Sequence, residues 1–310
     1  MTLHSAVEEA GTVSVGVEES ERRIFRFKVG SFDCVAINDG TFFYTADQYF
    51  SNADPHLVTT ALVEHRLQRD RIPSPYTCLV VDTGEHVVVV DTGADRAAMR
   101  DFLPTGVETD VGRFAEGVDQ AGVDVADVDR VIVSHAHPDH IGGNTDAAGA
   151  PRFPHARLTI RREEWEYWTS DATLAAQPPA FADPVRKHLL PLADRVELLE
   201  EDGEIMPGIR AVHAPGHTPG HMALLIQCDD AELLYISDAA LHPLHLEHPD
   251  WCTVWEMDPE RALRSRRVLF DRAASTGALV LAFHFHPFPS LGRVQEARSG
   301  WIWHPSQVTP

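Results

Sequence analysis

The segment SHAHPDH, residues 134–140, places four side chains that can bind a metal ion within six positions. Neutral imidazole is the commonest ligand of zinc-like ions, and a carboxylate oxygen binds the same ions. The first two histidines are two residues apart, so both rings can face one point just past a strand end. The aspartate and the third histidine follow a proline, where the chain is biased to turn, and can face a second point. Because so short a loop cannot surround one ion, we predict that it serves two neighbouring ions through His135, His137, Asp139 and His140.

The spacing and setting of these residues separate a metal site from ordinary structural histidines. A lone histidine is most often a surface or core imidazole whose polar atoms are satisfied. Here the group follows a short run of β-branched residues, DRVIVSH at 129–135, which is typical of a buried strand. Gly142 and Gly143 come next and permit close approach of the backbone. Taken as a unit, the pattern indicates a metal site at the end of a strand.

The elements around this segment have the pattern of an α/β protein. Two stretches, 75–95 and 224–241, each read as strand, polar turn and strand followed by an aspartate, Asp91 and Asp238. This echo predicts two halves of similar design, each a sheet layer with covering helices, although any two hairpins share such features. Residues 258–277 are predicted to be helical, because the stretch starts with Asp and Pro and stops at a Gly.

Length and composition are those of a globular protein. The chain has 310 residues, of which 44% are hydrophobic and 24% charged, which suffices for a sizeable core. Residues 1–22 are acidic and lack the apolar segment of a signal peptide, so we expect a flexible arm. Residues 23–310 are then expected to form a single domain. No apolar run approaches the roughly 18 residues of a membrane span, so no membrane partner is expected.

Net charge and cysteine content narrow the function further. The chain carries 26 basic and 47 acidic residues, a net charge of −21, which repels phosphate backbones and disfavours nucleic acid as a partner. Its cysteines form no CxxC pair and are expected to be reduced thiols of a cytoplasmic protein. They are Cys34, Cys78, Cys228 and Cys252.

In its HxHxDH segment the chain resembles the metallo-β-lactamase-fold superfamily of metallohydrolases. The resemblance implies an α/β fold, an αββα sandwich of two mixed β-sheets flanked by helices. It also implies that a histidine, a bridging aspartate and a last histidine follow downstream. The segment HAPGHTPGHMALL (213–225) is similar to the family's PGHTxGH and supplies His217, with His221 in a structural role.

The two remaining ligands come from two further segments. LLYISDAAL is similar to the family's strand followed by an aspartate and supplies Asp238 as the bridging carboxylate. LAFHFHPFPSLGRV (281–294) is similar to the last histidine segment but contains two histidines. His284 is preferred because it lies nearer the strand end, and His286 is the alternative.

The ligand set implies two divalent metal ions per chain, with Zn²⁺ preferred and Mn²⁺, Co²⁺ or Fe²⁺ as alternatives. One ion takes His135, His137 and His217, and the other takes Asp139, His140 and His284. A hydroxide shared by the two ions would attack a carbonyl or phosphoryl centre. Catalytic roles are thus expected for the bridging Asp238 and for Asp139, which could also pass a proton to the leaving group.

Details beyond the ligands resemble most closely a branch of lactonase-like and organophosphate-hydrolase-like enzymes. The segments EEWEYW (163–168), APGHTPGH and HPFPSLG carry this likeness. It implies a small ester-like substrate, such as a lactone, a carboxylic ester or an organophosphate triester, and a homodimer. An iron-dependent oxidoreductase acting on sulfur compounds and a β-lactam hydrolase are the alternatives. Electron-transfer members are expected to carry HxExD-type patterns, whereas this chain keeps HxHxDH.

Other residues allow two interpretations each. Asp91 could orient a ligand histidine, but a helix N-cap is preferred. His242 could face the substrate or lie on the surface. The Pro/Ala-rich residues 172–184 could form a lid or pocket wall, or a plain surface loop. Four aromatic residues could line a substrate pocket, although core or interface positions are preferred: Phe42, Phe43, Tyr44 and Tyr49.

Overall fold

A computed structural model describes residues 23–103 and 109–306 of the chain. Within these ranges the strands form two seven-stranded sheets, and each strand lies beside its neighbours in the sequence. The first sheet contains β1 (Ile24–Val29), β2 (Phe32–Tyr44), β3 (Ile72–Asp82), β4 (Val87–Val90), β5 (Val128–Ile132), β6 (Arg157–Arg161) and β7 (Val196–Leu199). The second contains β8 (Gly203–Met206), β9 (Ile209–His213), β10 (Met222–Cys228), β11 (Ala231–Ser237), β12 (Leu279–Ala282), β13 (Leu291–Glu296) and β14 (Trp301–Pro305).

Helices flank both sheets and complete the αββα sandwich that the resemblance implied. They are α1 (Ala46–Tyr49), α2 (Pro55–Glu64), α3 (Arg96–Arg100), α4 (Phe114–Ala121), α5 (Pro138–Ile141), α6 (Arg162–Thr169), α7 (Asp171–Ala176), α8 (Pro179–His188), α9 (Leu244–Glu247) and α10 (Pro259–Thr276), with a 3₁₀ helix at Leu190–Arg195. The helix predicted at 258–277 is confirmed as α10. The Asp258 side chain caps it by accepting from Arg261 N–H at 3.0 Å, and it stops at Gly277, whose φ is 66°.

The two sheets repeat one arrangement of strands around the candidate ligands. β4 pairs antiparallel with β3 and parallel with β5, and β11 pairs antiparallel with β10 and parallel with β12. Asp91 directly follows β4, and Asp238 directly follows β11. The echo between the two stretches of sequence therefore reflects equivalent topology, and each sheet contributes one aspartate at the end of an equivalent strand.

Apolar side chains of both sheets form the core that fixes these strand ends. In β4, Val88, Val89 and Val90 are fully buried, as expected for a strand inside a covered sheet. A second group of buried side chains lies where Phe270 of α10 packs with residues of the second sheet, such as Ile236. Each fully buried side chain of this size contributes about 1.5–3 kcal/mol to folding.

Two expectations concern the chain as a whole. The flexible arm predicted for residues 1–22 lies outside the described residues, and the single domain predicted for residues 23–310 stays a prediction. Among the helices of the described ranges, none is both long and apolar enough to cross a membrane.

Candidate metal centre

Each candidate ligand lies shortly after the end of a strand. β5 ends at Ile132, and His137, in extended conformation, is the N-cap of α5. Pro138 occupies the first turn of this helix, where its missing N–H costs nothing. The HxHxDH segment thus changes from extended to helical backbone between its second and third ligand. The downstream residues follow β9, β11 and β12 and are His217, Asp238 and His284.

The structure brings all seven predicted ligands together, and each is at least nine-tenths buried. Their ligand atoms form three groups in which the atoms lie within 4.8 Å of one another. The groups are His135, His137 and His217; His135, His140 and Asp238; and Asp139, His140 and His284. The first and third groups are the two ligand sets that were predicted for the two ions.

Asp238 lies between these two sets. Its Oδ2 is 3.3 Å from Nε2 of His217 and 3.3 Å from Nε2 of His284. Its Oδ1 is 3.3 Å from Nε2 of His140. One carboxylate therefore reaches histidines of both sets, which is the geometry expected of a bridging ligand.

Of the two histidines near the end of β12, the structure places His284 in the cluster. Its Nε2 lies 3.5 Å from Oδ2 of Asp139, and its side chain is buried. The His286 side chain is exposed. Residues two apart, such as His284 and His286, face the same side only where the chain is extended. Their spacing therefore could not tell which of them is the ligand, whereas their burial does.

In the group of His135, His140 and Asp238, each residue has one buried atom without a hydrogen-bond partner: Nε2 of His135, Nε2 of His140 and Oδ1 of Asp238. A buried polar atom that makes no hydrogen bond costs about 1–3 kcal/mol. Lone pairs of imidazole and carboxylate that converge in this way fit a divalent cation, which would satisfy them all. The donor set therefore fits metal ions of the zinc type.

Burial keeps most of the imidazoles in the neutral form that binds metal. It lowers the pKa of His137 to about 3 and the pKa values of His135 and His217 well below the usual range. His140 behaves differently. Burial alone would lower its pKa, but the carboxylates of Asp238, Asp91 and Asp139 together raise it well above the usual value.

The pKa values of the carboxylates in the site are shifted as well. Burial raises the pKa of Asp139. Burial would also raise the pKa of Asp238, but the neighbouring His284 and His140 hold it well below its usual range. The centre therefore favours a positive charge between its carboxylates, which is the place that a metal ion would take.

Asp91 orients one of the ligand rings. Its Oδ2 accepts from Nδ1 of His140 at 2.8 Å and from the Tyr235 hydroxyl at 2.7 Å. Its Oδ1 accepts from Ser134 N–H at 2.8 Å. The preferred interpretation of Asp91 as a helix N-cap is wrong, because Asp95 caps α3 by accepting from Ala97 N–H. Asp91 has a φ of 53°, and this sharp turn directs its side chain to β5 and α5 instead.

Two other histidines of the site are held by hydrogen bonds from their ring nitrogens. Nδ1 of His284 lies 3.0 Å from the Ser74 hydroxyl, which also accepts from the Tyr49 hydroxyl at 2.6 Å. His221 has the structural role that the resemblance implied, since its Nε2 accepts from Asp238 N–H at 3.1 Å and its Nδ1 contacts Ala214 O at 2.8 Å. Sequence reasoning missed Ser74, for which no local pattern gives a signal.

A cavity of about 360 Å³, open to solvent, lies over the ligands. Its wall is mostly apolar and consists of Tyr44, Met99, Phe102, Pro138, Phe181, Leu241 and Trp255. Phe181 belongs to α8 and packs edge-on against His137, with ring centroids 5.4 Å apart. Of residues 172–184, Phe181 lines the cavity, so the segment contributes one side chain to the pocket wall, and it is largely helical rather than an irregular loop.

The remaining interpretations of single residues have mixed outcomes. Of the four aromatics, Tyr44 lines the cavity, Phe42 and Tyr49 are buried, and Phe43 is 38% exposed beneath the Arg71 guanidinium. Of the two interpretations of His242, the surface position is wrong, because the residue is buried and its Nδ1 accepts from the following backbone at Leu244 N–H (3.1 Å).

The chain is similar to known proteins along most of its described length. The model of the metallo-beta-lactamase superfamily matches residues 71–286. An N-acyl homoserine lactonase of a Bacillus species is 32% identical over 50% of this chain and 59% of its own length, so the aligned part spans less than two thirds of that relative. An N-acyl homoserine lactonase of Bacillus thuringiensis is 30% identical over 62% of this chain and 73% of its own length.

Solved structures share the fold over nearly the whole chain. The hydrolase AbOPH, of the beta lactamase superfamily, superposes with a TM-score of 0.82 at 21% identity, over 93% of this chain and 98% of its own. The dizinc quorum-quenching lactonase AidC superposes with a TM-score of 0.80 at 24% identity, over the same shares of the two chains. At such identities the likeness is one of fold.

Proposed function

The chain belongs to the metallo-beta-lactamase superfamily, and from this membership we propose that it is a dinuclear metal-dependent hydrolase of small ester-like substrates, with lactones as the preferred class. The observation that carries the proposal is the position of Asp238. Its carboxylate lies 3.3 Å from His217, a ligand of one ion, and 3.3 Å from both His140 and His284, ligands of the other ion.

Two divalent ions held by these residues would supply a nucleophilic hydroxide at neutral pH and would polarise the electrophile. The residues of this chain hold and orient the ligands for that chemistry. Asp91 keeps a proton on Nδ1 of His140, so that Nε2 presents its lone pair. Ser74 fixes the ring of His284 in the same way from its Nδ1 side. His221 holds the backbone of Asp238 by accepting its N–H.

The cavity supports an ester with an apolar part. Asp139, Asp238 and His284 form its polar floor, while Phe102, Phe181 and other apolar side chains form its wall. A substrate would place its polar reacting group over the ligands and its apolar part against this wall. This arrangement suits a lactone or ester that carries an apolar substituent.

Among the ester-like classes, lactones have the best support. The relatives of 30–32% identity are lactonases, whereas the hydrolase AbOPH shares 21% identity and so supports the fold alone. Carboxylic esters and organophosphate triesters are the next classes to test. The set of five histidine and two aspartate ligands, which includes the HxHxDH segment, also distinguishes the chain from the HxExD pattern expected of iron-dependent electron-transfer members.

A substrate panel on the metal-loaded protein tests the proposal. The panel contains N-acyl homoserine lactones, simple lactones, nitrophenyl esters and a paraoxon-like triester, with His137→Ala as the inactive control. We expect lactones to give the highest kcat/KM and the His137→Ala protein to be folded and inactive. No hydrolysis of any member, or full activity of His137→Ala, would overturn the proposal.

A further inference from the structure

One buried carboxylate joins the two loops that carry three of the candidate ligands. Glu164, on α6, is fully buried. Its Oε1 accepts from Ala136 N–H at 2.9 Å, between His135 and His137. Its Oε2 accepts from the Thr218 hydroxyl at 2.7 Å and from Gly220 N–H at 2.9 Å, directly after His217. Each carboxylate oxygen thus holds one loop.

We propose that Glu164 is a positioning residue that sets the distance between these loops and thereby the affinity of one of the two ions. That ion is the one assigned to His135, His137 and His217, whose ligand atoms form one of the three groups. The other ion takes its histidines from α5 and from the segment after β12, which Glu164 does not hold. The inference rests on the two-metal function proposed above.

The surroundings of Glu164 are built for this contact. A Cβ atom at Gly220 would lie 2.4 Å from the Glu164 nitrogen, so only glycine lets the loop approach α6 so closely. Trp168 lies one turn further along the same face of α6 and packs edge-on against His137, with ring centroids 5.4 Å apart. α6 therefore holds the first loop through two side chains and the second loop through one.

The chemistry of the contact requires a carboxylate. Ala136 and Gly220 present N–H donors, and Thr218 donates its hydroxyl, so both oxygens of residue 164 must accept. A glutamine has the same shape but only one acceptor oxygen. Its NH₂ group would face an N–H donor in one of the two loops and could not hold it. Glu164→Gln therefore releases one loop while it keeps the packing of α6.

The test is the stepwise release of zinc from the loaded full-length protein by a chelating competitor. Wild type, Glu164→Gln and the control Glu163→Gln are compared; Glu163 is the exposed neighbour on the same helix turn. We expect Glu164→Gln to lower the affinity for one ion about 10- to 100-fold and to leave the affinity for the other nearly unchanged, as for other residues that orient metal ligands. Loading with Co²⁺ should show the change in the absorption bands of one ion only.

The outcomes separate this inference from the proposed function. If wild type binds two ions and Glu164→Gln either loses affinity for both ions equally or loses none, the role of Glu164 is overturned and the two-metal site is unaffected. A wild type that binds a single ion overturns the two-metal site, and the role of Glu164 then depends on whether that ion weakens in Glu164→Gln but not in Glu163→Gln. If Glu164→Gln does not fold, Thr218→Val decides, because it removes one donor of the second loop and should weaken the same ion selectively.

Discussion

Nδ1 of His140 donates to Asp91 over 2.8 Å, which leaves Nε2 of the same ring 3.3 Å from Oδ1 of Asp238. The two aspartates follow equivalent strands, β4 and β11, in the two sheets. The imidazole of His140 therefore contacts one aspartate from each of the two sheets. Because a carboxylate on one ring nitrogen fixes the proton there, the other nitrogen is free to bind metal.

Replacing Asp91 by asparagine should lower the affinity for the ion that His140 binds. Asparagine keeps the shape and tolerates the positive φ of 53°, but it carries no charge to hold the His140 proton. We expect a loss of about 10- to 100-fold in the affinity of that ion, measured by chelator competition. Asp82 is exposed, stands at the end of β3 and, like Asp91, comes after a run of apolar residues, so Asp82→Asn is the matched control. Equal affinities in all three proteins would refute the orienting role of Asp91.

The two histidines after β12 should differ sharply when each is changed to alanine. His284 is buried within reach of Asp139 and Asp238, whereas the His286 side chain is exposed. We expect His284→Ala to lose one of two ions and most of its turnover, and His286→Ala to keep both. Metal content and kcat of the two purified variants check this. The reverse pattern would make His286 the ligand.

Stability towards acid should depend on Asp95. Burial alone would raise its pKa, but hydrogen bonds from His188 at 2.8 Å and Lys187 at 2.9 Å hold it well below the usual value. A carboxyl with a lowered pKa in the folded state stabilises the protein above its unfolded pKa of about 3.9, and this contribution is lost as the pH falls.

The change Asp95→Asn makes that contribution measurable. At pH 6 we expect the variant to be less stable by about 2 kcal/mol, since it loses the hydrogen bond between its carboxylate and the charged Lys187 ammonium. The difference should shrink steadily between about pH 4 and pH 2. Urea unfolding of both proteins without metal at each pH gives the two free energies. A difference that does not depend on pH would mean that the Asp95 charge contributes nothing.

The apolar wall should set the preference for long substituents. Phe181 covers His137 and faces Phe102 edge-on, with ring centroids 5.5 Å apart. Removing such a contact costs about 1.5–3 kcal/mol, or about 10-fold or more in binding. We therefore expect Phe181→Ala to lower kcat/KM for a long-chain acyl lactone relative to a short-chain one, whereas Phe43→Ala, on the exposed side of β2, leaves the ratio unchanged. An unchanged ratio in Phe181→Ala would exclude this wall as the binding surface.

The sequence predicts the ligands better than it predicts the residues that support them. The histidines of the HxHxDH segment lie within six positions, and His217 and Asp238 are flanked by short patterns of their own. Ser74 supports His284 from 210 positions away, and Glu164 supports Ala136 and Gly220 from another helix. Such pairs are determined by how strands and helices pack in three dimensions. The local sequence does not indicate which distant residues will be in contact.

The stretch DTGAD shows how local signals can be ambiguous. It contains two aspartates before a helix, and either could have served as the N-cap. The backbone decides, because the left-handed turn at Asp91 directs it to His140, and Asp95 lies directly before α3. The same holds for residues 172–184, whose prolines suggested a loop. Pro179 starts α8, and Pro184 is accommodated within it.

The metal content of the purified, active full-length protein tests the central claim most directly. The account predicts about two divalent ions per chain, chiefly zinc or a similar ion, because Asp238 lies between two complete sets of ligands. One redox-active iron per chain would contradict it and would favour the oxidoreductase alternative.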